Sequence, residues 1–212
     1  MHRAALAFPF LACLSIGFVF GQDAPVVPPQ KGVSKTIELF NGKNLDGWDG
    51  DPRLWSVRDG MIVGSTENAK LTHNEFLISK QSFSNFVLRA ECKLRNHNSG
   101  IQFRSEALPK WVVRGYQADM AQDNYWGCIY EEKGTRGILV NGWEKAKPVV
   151  HLKDWNDYEI SCDGDHIQLK LNGVQTADLH DSAKLSGILA LQLHAGPPME
   201  AYFRNIRVKE LK

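Results

Sequence analysis

Phe86-Val87-Leu88-Arg89-Ala90-Glu91-Cys92-Lys93-Leu94 decides the fold class: each even position is apolar or small, while Arg89, Glu91 and Lys93 occupy odd ones. A period of two marks an extended strand with one buried and one wet face, because successive side chains point to opposite sides of the backbone. The alternation returns in residues 158–162, 167–171 and 174–178, separated by Asp163-Gly164 and Asn172-Gly173. Such pairs accept positive φ and close tight hairpins, so these three runs read as an antiparallel meander. Working outward, Asn41-Gly42, Asp46-Gly47 and Asp59-Gly60 add further turns, and no stretch of ten residues carries a convincing helical pattern. Many short strands with closely spaced turns predict an all-β protein: two antiparallel sheets packed as a jelly-roll sandwich, with an open barrel as the alternative.

Before that region the chain changes character. Residues 1–21 carry Arg3, then an apolar run to Phe20, then Val19-Phe20-Gly21 ahead of the polar Gln22. This is the pattern of a cleaved signal peptide, and it implies a secreted or periplasmic protein. A lipoprotein reading through Cys13 fits less well because Phe10 disrupts the pattern. Residues 22–35 are Pro-rich and aperiodic, which suits a linker, so the single domain is expected over residues 36–212. No second long apolar run follows, so no stable membrane span is expected after leader cleavage. With 25 Lys plus Arg against 24 Asp plus Glu, the chain has no field to attract nucleic acid. Loss of Cys13 would leave Cys92, Cys128 and Cys162, an odd number without paired spacing. Cys92 and Cys162 share the apolar registers of their strands and read as core; a bridge between two of the three stays open.

Three strands carry polar residues on what should be their outer faces. In Asn98-Ser99-Gly100-Ile101-Gln102-Phe103-Arg104, Gln102 and Arg104 oppose Ile101 and Phe103. In Gly115-Tyr116-Gln117-Ala118-Asp119-Met120, Gln117 and Asp119 oppose the apolar set, and over residues 188–194 Gln192 and His194 oppose Leu189, Leu191 and Leu193. If the three strands share a sheet, these residues form one polar row able to bind hydroxyls and move a proton; separately, each is an ordinary solvated face. Residues 125–137 mix rings, carboxylates and glycines and suit a loop or hairpin over such a cleft. Trp126 and Tyr130 are candidate stacking surfaces there, Glu131 or Glu132 candidate acids, and core packing of the rings is the alternative. Trp48, Trp55 and Trp155 sit within or beside apolar runs and read as core.

Glu131 and Glu132 are adjacent and so point to opposite faces of a strand, which leaves no obvious pair of glycosidase carboxylates; Asp157 and Glu159 share a face in a strand that reads as surface. The histidines are scattered, with neither His-x-His nor His-x-x-x-His, so no cofactor is indicated, and a divalent metal is left open.

The 39–48 stretch Leu-Phe-Asn-Gly-Lys-Asn-Leu-Asp-Gly-Trp, the 98–104 and 115–119 strands, Trp155-Asn156-Asp157-Tyr158-Glu159-Ile160, Leu171-Asn172-Gly173 and Phe203-Arg204-Asn205-Ile206-Arg207-Val208 together resemble the 3-keto-disaccharide hydrolase family. The resemblance keeps motif order over almost all of residues 37–211. It implies a concanavalin A-like lectin/glucanase sandwich and a small carbohydrate substrate oxidised to a ketone at C3. A C3 ketone acidifies the C2 proton, so a base can start an elimination at C1, with water added afterwards. On that chemistry His194 or Asp119 is the expected base, Arg104 the partner of the enolate oxygen, and Glu132 or Tyr130 the group near the leaving oxygen. Gln102, Gln117, Trp126, Tyr130, Gln192 and Glu200 are the expected substrate contacts. Gln117-x-Asp119 stands where the family often shows Glu-x-Gln, which leaves the position of the base open. His194-Ala195-Gly196-Pro197-Pro198-Met199-Glu200 resembles the family's late active-side loop. A lectin-like module that binds sugar without turnover is the alternative function, since the same sandwich serves both.

Overall fold

The computed structural model describes residues 35–211. The expected leader, and the expected linker apart from Lys35, lie outside the described residues. The strands are, in order, β1 (Thr36–Glu38), β2 (Trp48–Asp49), β3 (Trp55–Arg58), β4 (Met61–Ser65), β5 (Glu75–Phe83), β6 (Phe86–Leu94), β7 (Asn98–Leu108) and β8 (Val112–Ala121). They continue with β9 (Ile129–Glu132), β10 (Ile138–Val140), the single-turn helix α1 (Trp143–Ala146), β11 (Asn156–Asp163), β12 (His166–Leu171), β13 (Val174–His180), β14 (Gly187–Leu193) and β15 (Glu200–Glu210). No helix among the described residues is long and apolar enough to cross a membrane.

Two antiparallel sheets form the expected sandwich. One runs β10-β9-β8-β7-β14-β5-β2 and will be called the front sheet; the back sheet runs β13-β12-β11-β6-β15-β4-β3, with β1 also paired to β15. The opening alternation survives intact: Phe86, Leu88, Ala90, Cys92 and Leu94 are buried, and Arg89 is exposed. Those residues pack in one cluster with Ile101 and Phe103 of β7, Tyr116, Ala118 and Met120 of β8, and Leu189, Leu191 and Leu193 of β14. Each fully buried Leu or Phe contributes on the order of 1.5–3 kcal/mol, so the inner faces of the two sheets hold the fold together. The meander is β11-β12-β13. Its second turn has Asn172 at φ 48° and Gly173 at φ 82°, the double left-handed conformation of a two-residue type I′ hairpin. Trp48 and Trp55 are core residues, as expected. Trp155 is not: its ring lies beneath the Arg204 guanidinium at 3.9 Å and is only partly covered. Cys92, Cys128 and Cys162 are all buried and unbridged.

The front sheet is interrupted in its middle. The β7–β8 register shifts between Phe103 and Glu106, and the β14 register shifts between Ile188 and Ala190 against both neighbours. Arg104 sits at this break with φ 46°. Gly115 on one flank and Gly187 on the other approach it so closely that a Cβ would fall 2.3 Å from Ser105 Oγ and 2.4 Å from Ser105 O. Both positions have positive φ as well, so glycine is required there on two counts. Beyond the break the β7–β8 hairpin folds across the outer face of the front sheet. Phe76 N–H on β5 donates to Trp111 O at 2.9 Å, although β7 and β14 separate β5 from β8 within the sheet. A second apolar cluster of Phe76, Ile78, Val113, Ile188 and Ala190, with Trp111 packed against it, fills the space beneath.

The break also corrects one expectation. A regular strand would carry the Arg104 side chain to the outer face beside Gln102; instead the left-handed residue turns it inward, where it is fully buried. Its guanidinium donates to Ser84 O (2.8 Å), Gly164 O (2.6 Å) and Asn85 Oδ1 (3.2 Å). Arg104 thus ties the front sheet to the β5–β6 and β11–β12 turns. Replacing Arg104 with Ala removes three part-buried hydrogen bonds and leaves a cavity where the fully buried side chain stood, so we expect a loss of about 3 kcal/mol, seen as a lower urea midpoint at unchanged m-value.

Candidate functional site

The outer face of the front sheet is divided by this fold. One end is filled by the hairpin and its apolar cluster; at the other lies a cavity of about 340 Å³. Strand order β8-β7-β14 makes the three polar strands neighbours, which sequence left conditional. Gln117 and Asp119 of β8, Gln192 of β14 and His194 just after it face the cavity, together with Tyr130 and Glu132 of β9. Asn74, Asn98, Tyr125 and Ile138 complete the lining.

The floor is one connected hydrogen-bond relay. Ser105 Oγ–H donates to Gln102 Oε1 (2.8 Å), and Gln102 Nε2–H donates to Gln117 Oε1 (2.7 Å). Gln117 Nε2–H in turn donates to Asp119 Oδ1 (2.8 Å) and Gln192 Oε1 (3.3 Å), and Gln192 Nε2–H donates to Glu132 Oε2 (3.3 Å). Asn74 Nδ2–H reaches Glu132 Oε1 at 3.3 Å, while its Oδ1 accepts the Ala195 N–H at 2.9 Å and so anchors the segment after β14. The relay starts in the bulge and ends on two carboxylates, so each amide is oriented by its neighbours and cannot rotate freely. Gly100 makes this geometry available: a Cβ there would lie 2.5 Å from the Gln117 amide carbon.

The titratable groups are pushed in opposite directions. Burial raises the Asp119 carboxyl to about 7; the Gln117 hydrogen bond opposes this and the nearby Glu132 charge adds to it. Burial also raises Glu132, against hydrogen bonds from Asn74 and Gln192. His194 is lowered, first by burial, with a further contribution from His97, whose ring meets it edge-on at 4.9 Å. His194 Nδ1 lies 2.7 Å from Ala195 O. That contact requires a proton on Nδ1 and leaves Nε2 of the neutral ring with its lone pair free. Around neutral pH the site therefore sets an imidazole shifted toward its unprotonated form beside the Asp119 carboxyl, which titrates at about 7, with Glu132 displaced upward as well.

Several expected site residues lie elsewhere. Trp126 is not a stacking platform: it is 1 % exposed and stacks in the core on Tyr158, with ring centroids 5.9 Å apart. The left-handed turn at Gly127 (φ 77°) accompanies this placement, and the neighbouring Tyr125 is the ring left at the cavity. Glu200 opens β15 in the back sheet, where it accepts hydrogen bonds from Arg58, Arg95 and the Tyr202 hydroxyl, away from the cavity. Gln102 is fully buried behind Gln117 and belongs to the relay, not to the lining. Arg104 supports the other end of the sheet, as described above. Glu131 is held by Arg136 on the far face of β9, and Glu159 is paired with Arg89 and Lys170 on the back sheet. Of the residues missed, Asn98 shares the parity of Gln102 along β7, so alternation could have found it; Asn74, Tyr125 and Ile138 come from flanking segments with no periodic signal.

A family described as the 3-keto-alpha-glucoside-1,2-lyase-like domain matches residues 35–209. No curated protein sequence matches the chain significantly. Among solved structures, a presumed glycosyl hydrolase from Parabacteroides distasonis ATCC 8503 superposes with TM-score 0.61 at 21% identity, covering 84% of this chain and 94% of its own. The carbohydrate-binding module CBM66 of Bacillus subtilis gives 0.56 at 17% identity, over 76% of this chain and 94% of its own. The β-glucanase of Bacillus licheniformis gives 0.52 at 14% identity, over 86% and 100%. At these identities the shared property is the fold, a concanavalin A-like jelly-roll sandwich.

The raised Asp119 has a thermodynamic signature. Its folded pKa lies above the unfolded value, so its contribution is most favourable below about pH 4 and is lost as pH rises through about 7. Asp119→Asn keeps the hydrogen bond from Gln117 and removes that loss. Its melting temperature should exceed wild type by about 2–8 °C at pH 8.5 and by progressively less toward pH 4, a gap that calorimetry across pH measures.

Proposed function

Because the chain belongs to the 3-keto-alpha-glucoside-1,2-lyase-like domain family, we propose that it cleaves small, uncharged glycosides carrying a ketone at C3, and that it does so outside the cytoplasm. The observation that carries this reading is the opposed titration of His194 and Asp119 around one cavity: a depressed imidazole is a base and an elevated carboxyl an acid at the same pH. Among the described residues the lining contains Asp119 and Glu132 but no Lys or Arg, which favours neutral sugars over uronates or sugar phosphates. The leader-like residues 1–21 support the location.

In this mechanism His194 Nε2 takes the proton from C2, and the C2–H electron pair becomes the enolate of the C3 ketone. Asn98, whose side chain makes no hydrogen bond within the described residues, is the free amide donor for the enolate oxygen, the role that Arg104 cannot fill. Collapse of the enolate breaks the C1–O bond, and Asp119, with Glu132 beside it, delivers a proton to the departing oxygen. Water then adds to C1 of the enone and a proton returns to C2, which completes a net hydrolysis; an enzyme lacking this second half is a lyase. Tyr125 and Tyr130 offer rings to the sugar faces.

Incubating the protein with a 3-keto-disaccharide and with its unoxidised parent, and following products by mass spectrometry, tests the reading. Cleavage of the keto compound alone is the expected result; binding of either sugar without cleavage would transfer the protein to the lectin-like class. His194→Ala should lower kcat about 10²-fold or more. The kcat/KM profile should be bell-shaped, rising with pH as His194 loses its proton below 6.5 and falling through about 7 as Asp119 loses its own. A profile that only rises through 7 would instead make Asp119 the base.

A further inference from the structure

On the sheet opposite the cavity, at its free edge, two histidines face each other across the β12–β13 hairpin. His166 is the direct cross-strand partner of His180, and Gln168 is the partner of Asp178. Ile167 and Leu169 of the same hairpin are buried, so these four alternate residues share the outer face. The imidazole rings are stacked at 4.3 Å with their planes 5° apart. His166 Nε2 lies 2.8 Å from Asp178 Oδ1, and one donor atom from each of His166, Asp178 and His180 falls within 4.8 Å of the others.

We propose that this hairpin edge is a binding site for a divalent first-row transition-metal ion of the zinc, copper or nickel type, held by His166, Asp178 and His180. Two imidazole nitrogens and one carboxylate are the donor set that suits these ions; calcium and magnesium prefer all-oxygen shells. The surroundings are arranged as a metal site requires. His180 Nδ1 lies 3.2 Å from Asp165 Oδ1, a carboxylate contact that fixes the ring and leaves Nε2 as the donor. Asp178 Oδ2 accepts from Gln168 Nε2 at 2.9 Å and Gln175 Nε2 at 2.8 Å, which orients the carboxylate and leaves Oδ1 toward the histidines. Bringing the two ring nitrogens onto one ion takes rotation about χ2, a soft torsion in histidine, and leaves the backbone in place. Because the side chains are partly open to solvent, water completes the coordination shell. The bound ion would clip β13, the outermost strand, to β12.

Zinc is titrated by calorimetry into the purified protein bearing no histidine tag, and the melting temperature is followed with and without the ion. The expected result is saturable binding of one equivalent, with a higher melting temperature in zinc. His166→Ala/His180→Ala should weaken binding at least 100-fold. Asp165→Asn, which touches no metal donor directly, should weaken it about tenfold. Asp178→Asn, nearly isosteric, provides a second ligand variant whose fold is checked by its melt without metal. His97→Ala/His194→Ala should retain the full equivalent. Absence of saturable zinc binding, or undiminished binding in the His166/His180 variant, overturns the proposal; loss of binding in the His97/His194 variant would move the ion to the cavity and overturn it equally.

Discussion

Arg104 adopts a left-handed backbone where the front sheet changes register, and its buried guanidinium holds two acceptors in the β5–β6 turn, which crosses from the front sheet to the back, and one in the β11–β12 turn of the back sheet. A guanidinium can be buried only if its donors are satisfied, because an unpaired buried charge costs several kcal/mol. The two sheets are therefore pinned at this end, and the strand segment beyond the pin is free to turn. Gly115 and Gly187 provide the room; a side chain at either would collide with the Arg104–Ser105 backbone or with Ser105 Oγ.

The asymmetry of the outer face follows from that constraint. The redirected hairpin carries Trp111 and Val113 over Phe76, Ile78, Ile188 and Ala190, which dries one end of the sheet. The other end remains open, and there the same strands present Gln117, Asp119 and Gln192. Ser105, next to Arg104 in the bulge, begins the relay that orients these side chains. One irregularity in β7 thus shapes the cavity and also arranges its floor. Without the amide relay, the buried Asp119 carboxyl would lose its side-chain partner Gln117; with it, the group is accommodated yet remains difficult to ionise, the condition a general acid near neutral pH needs.

The back sheet serves a different purpose. Its outer face carries charge pairs such as Arg89–Glu159–Lys170 that keep it solvated, and its edge hairpin carries the stacked histidines. Asp157 and Glu159 share a face there and line a depression of the back sheet together with Arg89, Lys170 and Arg207, where Glu159 is neutralised by its pairs with Arg89 and Lys170. The carboxylates of the front-sheet cavity, Asp119 and Glu132, come from adjacent strands, which is why no linear motif announces them.

Period-two alternation and the Asn-Gly and Asp-Gly turns are local properties, and they determined the all-β class, the β11–β13 meander and the core parity of β6, β8 and β14 from the sequence alone. The same parity brought Gln117, Asp119, Gln192 and His194 into consideration, because a polar residue opposite an apolar one on a strand must face outward. Parity holds only while a strand stays regular. At Arg104 the bulge reversed it, at Trp126 the turn at Gly127 left the ring in the core, and Glu200 proved to belong to the other sheet. Which strands are neighbours, which flanking segments deliver Asn74 and Tyr125, and how deeply Asp119 is buried depend on contacts between residues far apart in the chain. Those contacts also set the proton affinities of Asp119 and His194, since desolvation comes from the surrounding fold and not from sequence neighbours.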